Sequence, residues 1–479
     1  MTEILKSSFI YKLCAAVGRW FSGQWLGSRI IRAFVNMKDE ADLAEGSIFY
    51  RAGAYMRRLQ CSISKALKFD KLFADSIFAM PFLWCFLAVV LAPLIPTMVM
   101  LGFILLGFIA VIIRAGIDED HTLMRAPINR YVIIYAIIYI IATFTSVTVS
   151  GSLYVGLLSV ALIMSVLMIE NAIRNQRQFD ILVKAMVMAG LIVALYGIYQ
   201  HFFGTGGGET WVDEDMFSDI STRVYSTLQN PNVLSEYLLL VIPLAAAWMF
   251  AAEGFIRKAF YFIVCAVMCL CMVYTFSRGG WLGLLFAVFI FLILVDRRFI
   301  FLIIAGAVAL LLFSPDIIVQ RFTSIGNVTD TSTSYRVSIW MGTLKMLKDY
   351  WLTGIGPGTA AFNMVYPAYS YNTVSAPHAH NLYLQIVCDA GIAGIIVFAI
   401  LIIVFIRMNC HGISVTKNRK AKLMQIASLS GAGGFLVQSM TDYSFYNYRV
   451  MFLFWAYLAI SALACRYESL SDDRHILRV

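Results

Sequence analysis

Charged residues are scarce in this chain of 479 residues. Asp, Glu, Lys and Arg make up 14% of it, and 60% of the residues are hydrophobic, whereas soluble domains carry about 25% charged residues. The mean hydropathy of +0.78 points the same way. This composition excludes a disordered tail, a nucleic-acid-binding protein and a secreted disulfide scaffold. The net charge of +9 therefore raises the question of which side of a membrane the basic residues occupy.

A complete set of metal ligands is also missing from the sequence. Cys265, Cys269 and Cys271 lie close together, but no His or further Cys nearby completes a tetrahedral site. We interpret the cysteines as small hydrophobic residues of helices. Residues 1–21 lack a sustained apolar core and a small-residue cleavage site, so no cleavable signal peptide is expected.

The chain does contain many long apolar runs. A helix needs about 20 apolar residues to cross a bilayer, and somewhat fewer when its ends snorkel. Pro93 and Pro96 separate the first two runs, and no repeat of fixed period is visible. The sequence therefore predicts an all-α polytopic membrane protein with about 12 transmembrane helices, near 76–92, 96–114, 131–148, 152–169, 180–203, 234–252, 259–276, 280–295, 299–314, 382–407, 424–441 and 449–465.

The basic residues are distributed unequally between the two sides of these spans. If the N-terminus is cytoplasmic, 30 of the 37 Lys and Arg residues lie inside, as the positive-inside rule requires. This distribution predicts that both termini are cytoplasmic. Seven basic residues then remain for the outer side, namely Arg223, Arg278, Arg321, Arg336, Lys345, Lys348 and Arg449.

Three regions follow from this topology. Residues 1–75 contain no span but are basic and amphipathic, so we expect them to lie on the cytoplasmic leaflet and to contact anionic lipids. A role in binding a specific partner is the alternative. Residues 76–466 form the transmembrane domain, and 467–479 form a cytoplasmic tail.

Two outer loops are long, at 204–233 and at 315–380 between the ninth and tenth spans. Long loops among short connections are usually functional. Apolar residues at three- and four-residue steps predict an amphipathic helix over 335–348, with Val337, Trp340, Leu344 and Leu347 on its apolar face. We expect this helix to rest on the outer membrane surface or to cap a cavity. The GIGPG run at 354–358 follows no strand, so it predicts a tight turn rather than a nucleotide site.

Several polar residues fall on connections of the same, outer side, so they can converge on one cavity. Arg278 lies between two apolar runs, beside Ser277 and Gly279, which leave room for a bulky head group. An arginine at such a depth is either an interface anchor or the partner of an anion, and its planar guanidinium suits phosphate. Arg223 follows the fifth span, and Arg449 precedes the twelfth.

Two histidines precede the tenth span. A neutral imidazole of His378 or His380 could take a proton from an attacking hydroxyl near neutral pH, with Asn381 orienting the ring. A helix-capping or hydrogen-bonding role is the alternative for either histidine. Zinc binding is disfavoured because the pair supplies only two ligands.

These motifs, taken in order, resemble those of the O-antigen ligase and O-antigen polymerase superfamily of polytopic bacterial glycosyltransferases. STRVYSTLQNPNVLSEYLLLVIPL (221–244) is similar to the family segment that follows a loop arginine. TFSRGGWLG (275–283) is similar to its serine–arginine motif, and HAHNLYLQIVCDAGIAG (378–394) to the end of its long loop. The resemblance covers about 130–465 and excludes the N-terminal 75 residues.

The resemblance implies a GT-C-like helical fold in the bacterial inner or plasma membrane. It also implies an enzyme that transfers or polymerises glycan from undecaprenyl pyrophosphate on the outer face, without a nucleotide sugar, cofactor or metal. The acceptor would be a glycan, a lipid or a protein, and no nucleic acid is a partner. By resemblance Arg223 and Arg278 would bind the donor pyrophosphate and His380 would be the base; Arg336 and Arg449 are secondary candidates, and Arg449 could instead pair with Asp442.

The reaction expected from these roles is an inverting displacement. The acceptor hydroxyl, deprotonated by His380, attacks the anomeric carbon opposite the leaving pyrophosphate, whose charge the arginines stabilise. A polytopic transporter of a small anion or envelope precursor, and a non-catalytic scaffold, are the alternatives from other classes. Transporters favour ionisable residues near the midplane and repeated halves, whereas the notable polar residues here cluster at one end.

Overall fold

The computed structural model describes residues 48–73, 76–117, 126–204, 223–313, 319 and 331–470. Within these ranges the protein is helical and contains no strand, which confirms the predicted all-α class. The helices are α1 (Ile48–Ala66), α2 (Phe69–Phe73), α3 (Pro81–Leu91), α4 (Thr97–Ile117), α5 (Asn129–Phe144), α6 (Val149–Ala172), α7 (Gln176–Phe203), α8 (Pro231–Ala251), α9 (Phe255–Tyr274), α10 (Arg278–Val295), α11 (Ile300–Phe313), α12 (Thr331–Tyr350), α13 (Thr359–Val365), α14 (Leu382–Val415), α15 (Arg419–Gln438) and α16 (Tyr448–Cys465).

Parts of the predicted regions lie outside the described residues. These parts are 1–47 and 74–75 of the N-terminal segment, 205–222 of the first long outer loop, 314–318 and 320–330 at the second, and 471–479 of the tail.

Eight of the described helices are long and apolar enough to cross a membrane: α4, α6, α7, α8, α9, α10, α14 and α16. The protein is therefore a multi-pass membrane protein, as predicted. Helices α3 and α5 are shorter apolar helices, and Pro93 and Pro96 lie in the break between α3 and α4. The exact count of 12 spans stays a prediction.

Helix α15, which covers the predicted span at 424–441, carries several polar residues and is an inner helix of the bundle. It packs between α8 and α10, and its polar side chains are buried there, namely Gln425, Ser428, Ser430 and Gln438. Helix α16 lies deepest, with 83% of its apolar window buried. Apolar side chains of α16 such as Trp455 pack on Tyr135 of α5, so the bundle has a filled centre.

Helix α12 confirms a helix at 335–348, and its buried face matches the predicted apolar face only in part. Ile339, Met346 and Leu347 are buried, whereas Leu344 is 53% exposed. The buried face is the one that meets α14 and the following loop. Since α12 also exposes apolar side chains, its pattern of apolar residues does not by itself identify the packed face.

Residues 351–355 of the long outer loop are hydrogen-bonded to an interruption in α14. Gly391 has a φ of 62°, so α14 is kinked there. Ile392 donates its backbone N–H to Trp351 O at 2.8 Å, and Ile355 donates to Cys388 O at 2.6 Å. Backbone groups released by a break in a membrane helix need such partners. The GIGPG glycines in this segment all have positive φ, as expected for the predicted turn.

Glycines allow α10 to approach α15 at backbone distance. A Cβ added at Gly283 would lie 2.5 Å from the carbonyl oxygen of Gly434. We therefore expect Gly283→Ala to force these helices apart and to lower stability by about 1–3 kcal/mol. Thermal unfolding of the purified protein in detergent measures this change.

Gly102→Ala is the matched control, because a Cβ there has no neighbour within 4 Å. It should keep or slightly raise the melting temperature through helix propensity. Equal melting temperatures for the two variants would contradict the close approach of α10 and α15.

Candidate active site

Four helices begin at the same corner of the bundle. Their starts are linked by the turn between α15 and α16. Leu382, the first residue of α14, donates its N–H to the backbone oxygens of Ser439 (2.9 Å) and Asp442 (3.1 Å). Asn232 of α8 contacts Asp442, and a Cβ at Gly279 of α10 would lie 2.7 Å from Thr441 Oγ1. The positive ends of the α8, α10, α14 and α16 dipoles thus face one region, which favours an anionic ligand.

Side-chain caps locate these helix starts. Asn230, Ser277, Asn381 and Asn447 each accept a hydrogen bond from a backbone N–H in the first turn of the helix that follows. Asn and Ser are preferred at this position because a short side chain can satisfy one of the unpaired donors. These capping hydrogen bonds consequently fix the polar residues at the helix starts to the first turns of the helices.

A connected series of polar groups runs through this corner. Arg223, which is 8% exposed, donates from Nε to Thr275 O at 2.9 Å and from Nη2 to Asn232 Oδ1 at 3.0 Å. The Asn232 amide then donates from Nδ2 to Asp442 Oδ2 at 2.8 Å. The other carboxylate oxygen of Asp442 lies 3.6 Å from His380 Nδ1. Arg223 thereby sets the orientation of the Asn232 amide, and Asn232 holds the carboxylate towards His380.

Asp442 is ionised in this setting. Burial by itself would raise its pKa, but the His380 imidazole and the nearby Arg336 guanidinium outweigh burial and hold the pKa well below its ordinary value. A carboxylate on the Nδ1 side of an imidazole favours the tautomer that carries its proton there. His380 Nε2 then remains as the proton acceptor.

The backbone of His380 is held in an unusual conformation. Its φ is 46°, in the left-handed region that a residue with a side chain rarely adopts. Trp340 of α12 donates from Nε1 to His380 O at 3.3 Å, and the ring of Tyr335 lies edge-on to the imidazole at 5.7 Å. Such conformations persist when neighbours over-determine them and are concentrated at functional sites. Helix α12 therefore helps to place His380.

His378 is in a different environment from His380. It is 6% exposed, and its Nδ1 accepts the His380 N–H at 3.1 Å. Its ring packs against Tyr446 and Tyr443. Burial, and secondarily the electrostatic influence of the His380 and Arg336 side chains, lowers the pKa of His378 to about 3 in spite of Asp442. His378 is thus neutral and supports the turn that carries His380.

Gln385 and Asp389 of α14 also support the turn that carries the two histidines. Ala379 donates its N–H to Gln385 Oε1 at 2.8 Å, and Gln385 Nε2 donates to Asp389 Oδ1 at 2.8 Å. The hydroxyls of Tyr139 and Tyr443 approach the other Asp389 oxygen at 3.4 and 3.5 Å. Asp389 therefore fixes the amide that supports the histidine turn.

The remaining candidates divide between this corner and its surroundings. Arg278 opens α10 beside the Asp442 turn, and it is partly exposed. Arg336 donates from Nη1 to Ser332 Oγ at 2.6 Å, and its charge acts on both Asp442 and His378. Arg449 donates to Thr227 O at 3.2 Å instead, so its suggested pairing with Asp442 is wrong.

The suggestion that Asn381 orients the imidazole is also wrong. Its Oδ1 caps α14 by accepting the Leu384 N–H at 3.0 Å. Its Nδ2 donates to Met440 O at 2.7 Å. The group that faces the imidazole is Asp442, which the sequence analysis did not select as a site residue, and Asn232 was missed as well. Both residues lie in or near segments with recognised motifs. Their contact joins positions 210 residues apart, which the sequence does not reveal.

Comparison with protein families identifies the central part of the chain. Residues 263–399 match the O-antigen ligase family (Wzy_C). The predicted resemblance to the O-antigen ligase superfamily is confirmed through this segment, which includes Arg278, Arg336, His378 and His380. A search of the curated proteins finds no match. The protein is thus a multi-pass membrane protein whose central segment matches the O-antigen ligase family, and this match supports a general role as a membrane glycan ligase or polymerase.

The buried, neutral state of His378 predicts acid sensitivity. Its folded pKa of about 3 lies below the unfolded value of ~6.5, so the unfolded state binds the proton first. Stability should therefore fall as the pH drops below about 6.5, by about 2 kcal/mol at pH 5. We expect His378→Gln to reduce the difference in melting temperature between pH 7.5 and pH 5.

The pH range separates this effect from that of Asp442. The lowered pKa of Asp442 contributes stability that is lost only below its unfolded pKa of ~3.9. Gly102→Ala, at a position where an added Cβ meets no neighbour within 4 Å, should keep the wild-type pH dependence. An unchanged pH dependence in His378→Gln would show that this histidine is not held neutral.

Proposed function

We propose that the protein is an inverting, metal-independent membrane glycosyltransferase. It transfers or polymerises glycan from an undecaprenyl-pyrophosphate donor to an acceptor hydroxyl on the extracytoplasmic face of the bacterial inner or plasma membrane. The observation that carries the proposal is the convergence of four helix starts, Arg278 and the His380–Asp442 pair at one corner of the bundle. This corner therefore places positive groups, which can bind an anionic leaving group, next to a histidine that can accept a proton.

The donor pyrophosphate fits the positive side of this corner. Arg278 is partly exposed at the start of α10, where the helix dipole adds to its charge. The Nε and Nη2 donors of Arg223 are directed at Thr275 and Asn232. We therefore assign first contact with the pyrophosphate to Arg278, and a supporting charge to Arg223. A direct contact of Arg223 with the donor stays a prediction.

The acceptor fits the histidine side. His380 Nε2 takes the proton of the acceptor hydroxyl, and the oxygen forms a bond to the anomeric carbon as the bond to pyrophosphate breaks. Asp442 stabilises the imidazolium that forms, and the arginines stabilise the leaving oxygens. General-base help of about 10²–10⁴-fold and loss of about 3–4 kcal/mol per electrostatic donor are the expected magnitudes.

A transporter of a small anion or envelope precursor is the second candidate. It would need a polar path through the middle of the bundle. In the described part of the chain, α16 occupies this region with apolar side chains, and Trp455 packs against Tyr135 and Phe445. The polar groups of interest lie at one end of the helices. This arrangement favours the enzyme.

The charge distribution supports the membrane orientation in the proposal. The histidine turn and the start of α10 belong to the side with seven basic residues, and the opposite side carries 30. Both termini are then cytoplasmic and the site faces outwards. A lipid-linked donor is consistent with a site located at the end of membrane-spanning helices.

Removal of the base or of the donor contact should abolish transfer. We expect His380→Ala and Arg278→Ala each to reduce glycan transfer by at least 10²-fold. The assay uses purified protein, a lipid-pyrophosphate glycan and candidate acceptors presented in turn, which also separates ligation from chain extension. Membrane insertion and melting temperature should stay close to wild type.

His411→Ala and Arg257→Ala are matched controls, because these residues lie near the opposite ends of α14 and α9. Both controls should keep the wild-type rate. Wild-type transfer by both His380→Ala and Arg278→Ala would exclude the mechanism.

The carboxylate is tested separately by Asp442→Asn. The amide keeps the shape but removes the charge that stabilises the imidazolium, so kcat should fall by about 10²–10⁴-fold. KM for the donor should change much less. A variant that loses donor affinity while keeping kcat would assign Asp442 to binding instead.

A further inference from the structure

Helix α1 has three distinct faces among its described side chains, and one of them contacts the membrane-spanning helix α4. Gln60 donates from Nε2 to Ile112 O at 2.6 Å, and Cys61 Sγ lies 3.8 Å from Ala115 O. A Cβ at Gly116 would lie 3.2 Å from Ser64 Cβ. These contacts hold α1 against the last turns of the membrane-spanning helix α4.

A second face of α1 is apolar and uncovered. Tyr55, Leu59, Ile63 and Leu67 follow one another at four-residue steps and are between 43% and 63% exposed. Residues four apart lie on one side of a helix, so these side chains form a continuous stripe. Contiguous exposed apolar surface of this kind marks an interaction site.

The third face is basic. Arg58 and Lys65 of α1 are exposed, as are Lys68 in the turn after α1 and Lys71 in α2. Residues 48–73 contain six basic residues and one acidic residue. This many charges excludes α1 as a membrane span, whereas an apolar stripe beside a basic face is the pattern of helices that lie in the bilayer interface.

A groove between α1 and α4 extends the apolar stripe. It has a volume of about 220 Å³ and is lined almost entirely by apolar atoms, with Leu59, Ile63 and Phe69 on one wall and Ile112 and Ile113 on the other. Basic residues neighbour this lining in the sequence, Arg58 beside Leu59 and Lys68 beside Phe69. The groove therefore offers apolar space against a membrane-spanning helix, on a segment that also carries exposed basic side chains.

We infer that α1 and the end of α4 form a binding site for anionic phospholipid. An acyl chain occupies the groove, the stripe enters the interface, and the phosphate meets Arg58 and Lys68. The occupant is a lipid because the site adjoins a membrane-spanning helix, and an anionic one because of the charge on the adjacent face. This inference does not depend on the proposed glycosyl transfer.

Hydrogen exchange of the full chain in nanodiscs tests the inference. The probes are discs of phosphatidylcholine alone and discs that also contain phosphatidylglycerol. We expect amides of 55–73 to exchange about tenfold more slowly with phosphatidylglycerol present, since each interfacial basic residue contributes to attraction by anionic lipid. Amides of 382–465 report on the fold in the same samples.

Two double variants separate specific binding from general charge effects. Arg58→Glu/Lys68→Glu should abolish the difference between the two kinds of disc. Arg257→Glu/Lys258→Glu, which reverses two exposed charges at the start of α9, should keep it. Leu59→Ser/Ile63→Ser should speed exchange in both discs. Equal exchange of the wild type in both discs, or equal loss in both charge-reversal variants, overturns the inference.

Discussion

The geometry of the candidate site depends on the contacts that the Asp442 carboxylate makes. One oxygen receives the Asn232 amide from α8, and the other faces His380 at the start of α14. The backbone oxygen of the same residue accepts the Leu382 N–H. The short turn between α15 and α16 therefore ties together α8 and α14, which are far apart in the sequence. A buried carboxylate is costly unless it is paired and hydrogen-bonded, and here the partners that satisfy it are the ones that align the proposed base.

Contacts from several helices also fix the position of His380 at the end of the long outer loop. Helix α12 fixes the His380 carbonyl through Trp340. The 351–355 segment is bound to the kink of α14 at Gly391. Gln385 and Asp389 hold Ala379 from within α14 itself. Because these contacts come from both sides, the left-handed backbone of His380 is maintained against its intrinsic cost.

The membrane explains why much of the fold could be predicted and why part of it could not. Every backbone polar group in a bilayer must be satisfied locally, so long apolar runs become helices. The break between α3 and α4 was predictable from Pro93 and Pro96, and the helix at 335–348 from the three- and four-residue spacing of its apolar residues. The packed face of α12 was not, since Leu344 is exposed while Ile339 is buried. Likewise, the interior position of the polar helix α15 is evident only from its packing between α8 and α10.

The sequence by itself determined the helical class, the unequal distribution of basic residues and the set of polar residues that share one side. These features depend on local chemistry, on the cost of charge in lipid and on motifs along the chain. Only the tertiary structure decided which of those residues meet. It joined Asp442 to His380 and Asn232, assigned Asn381 to a helix cap, and separated Arg449 from Asp442. The physical reason is that hydrogen bonds between distant segments depend on helix packing, which residue order and composition do not specify.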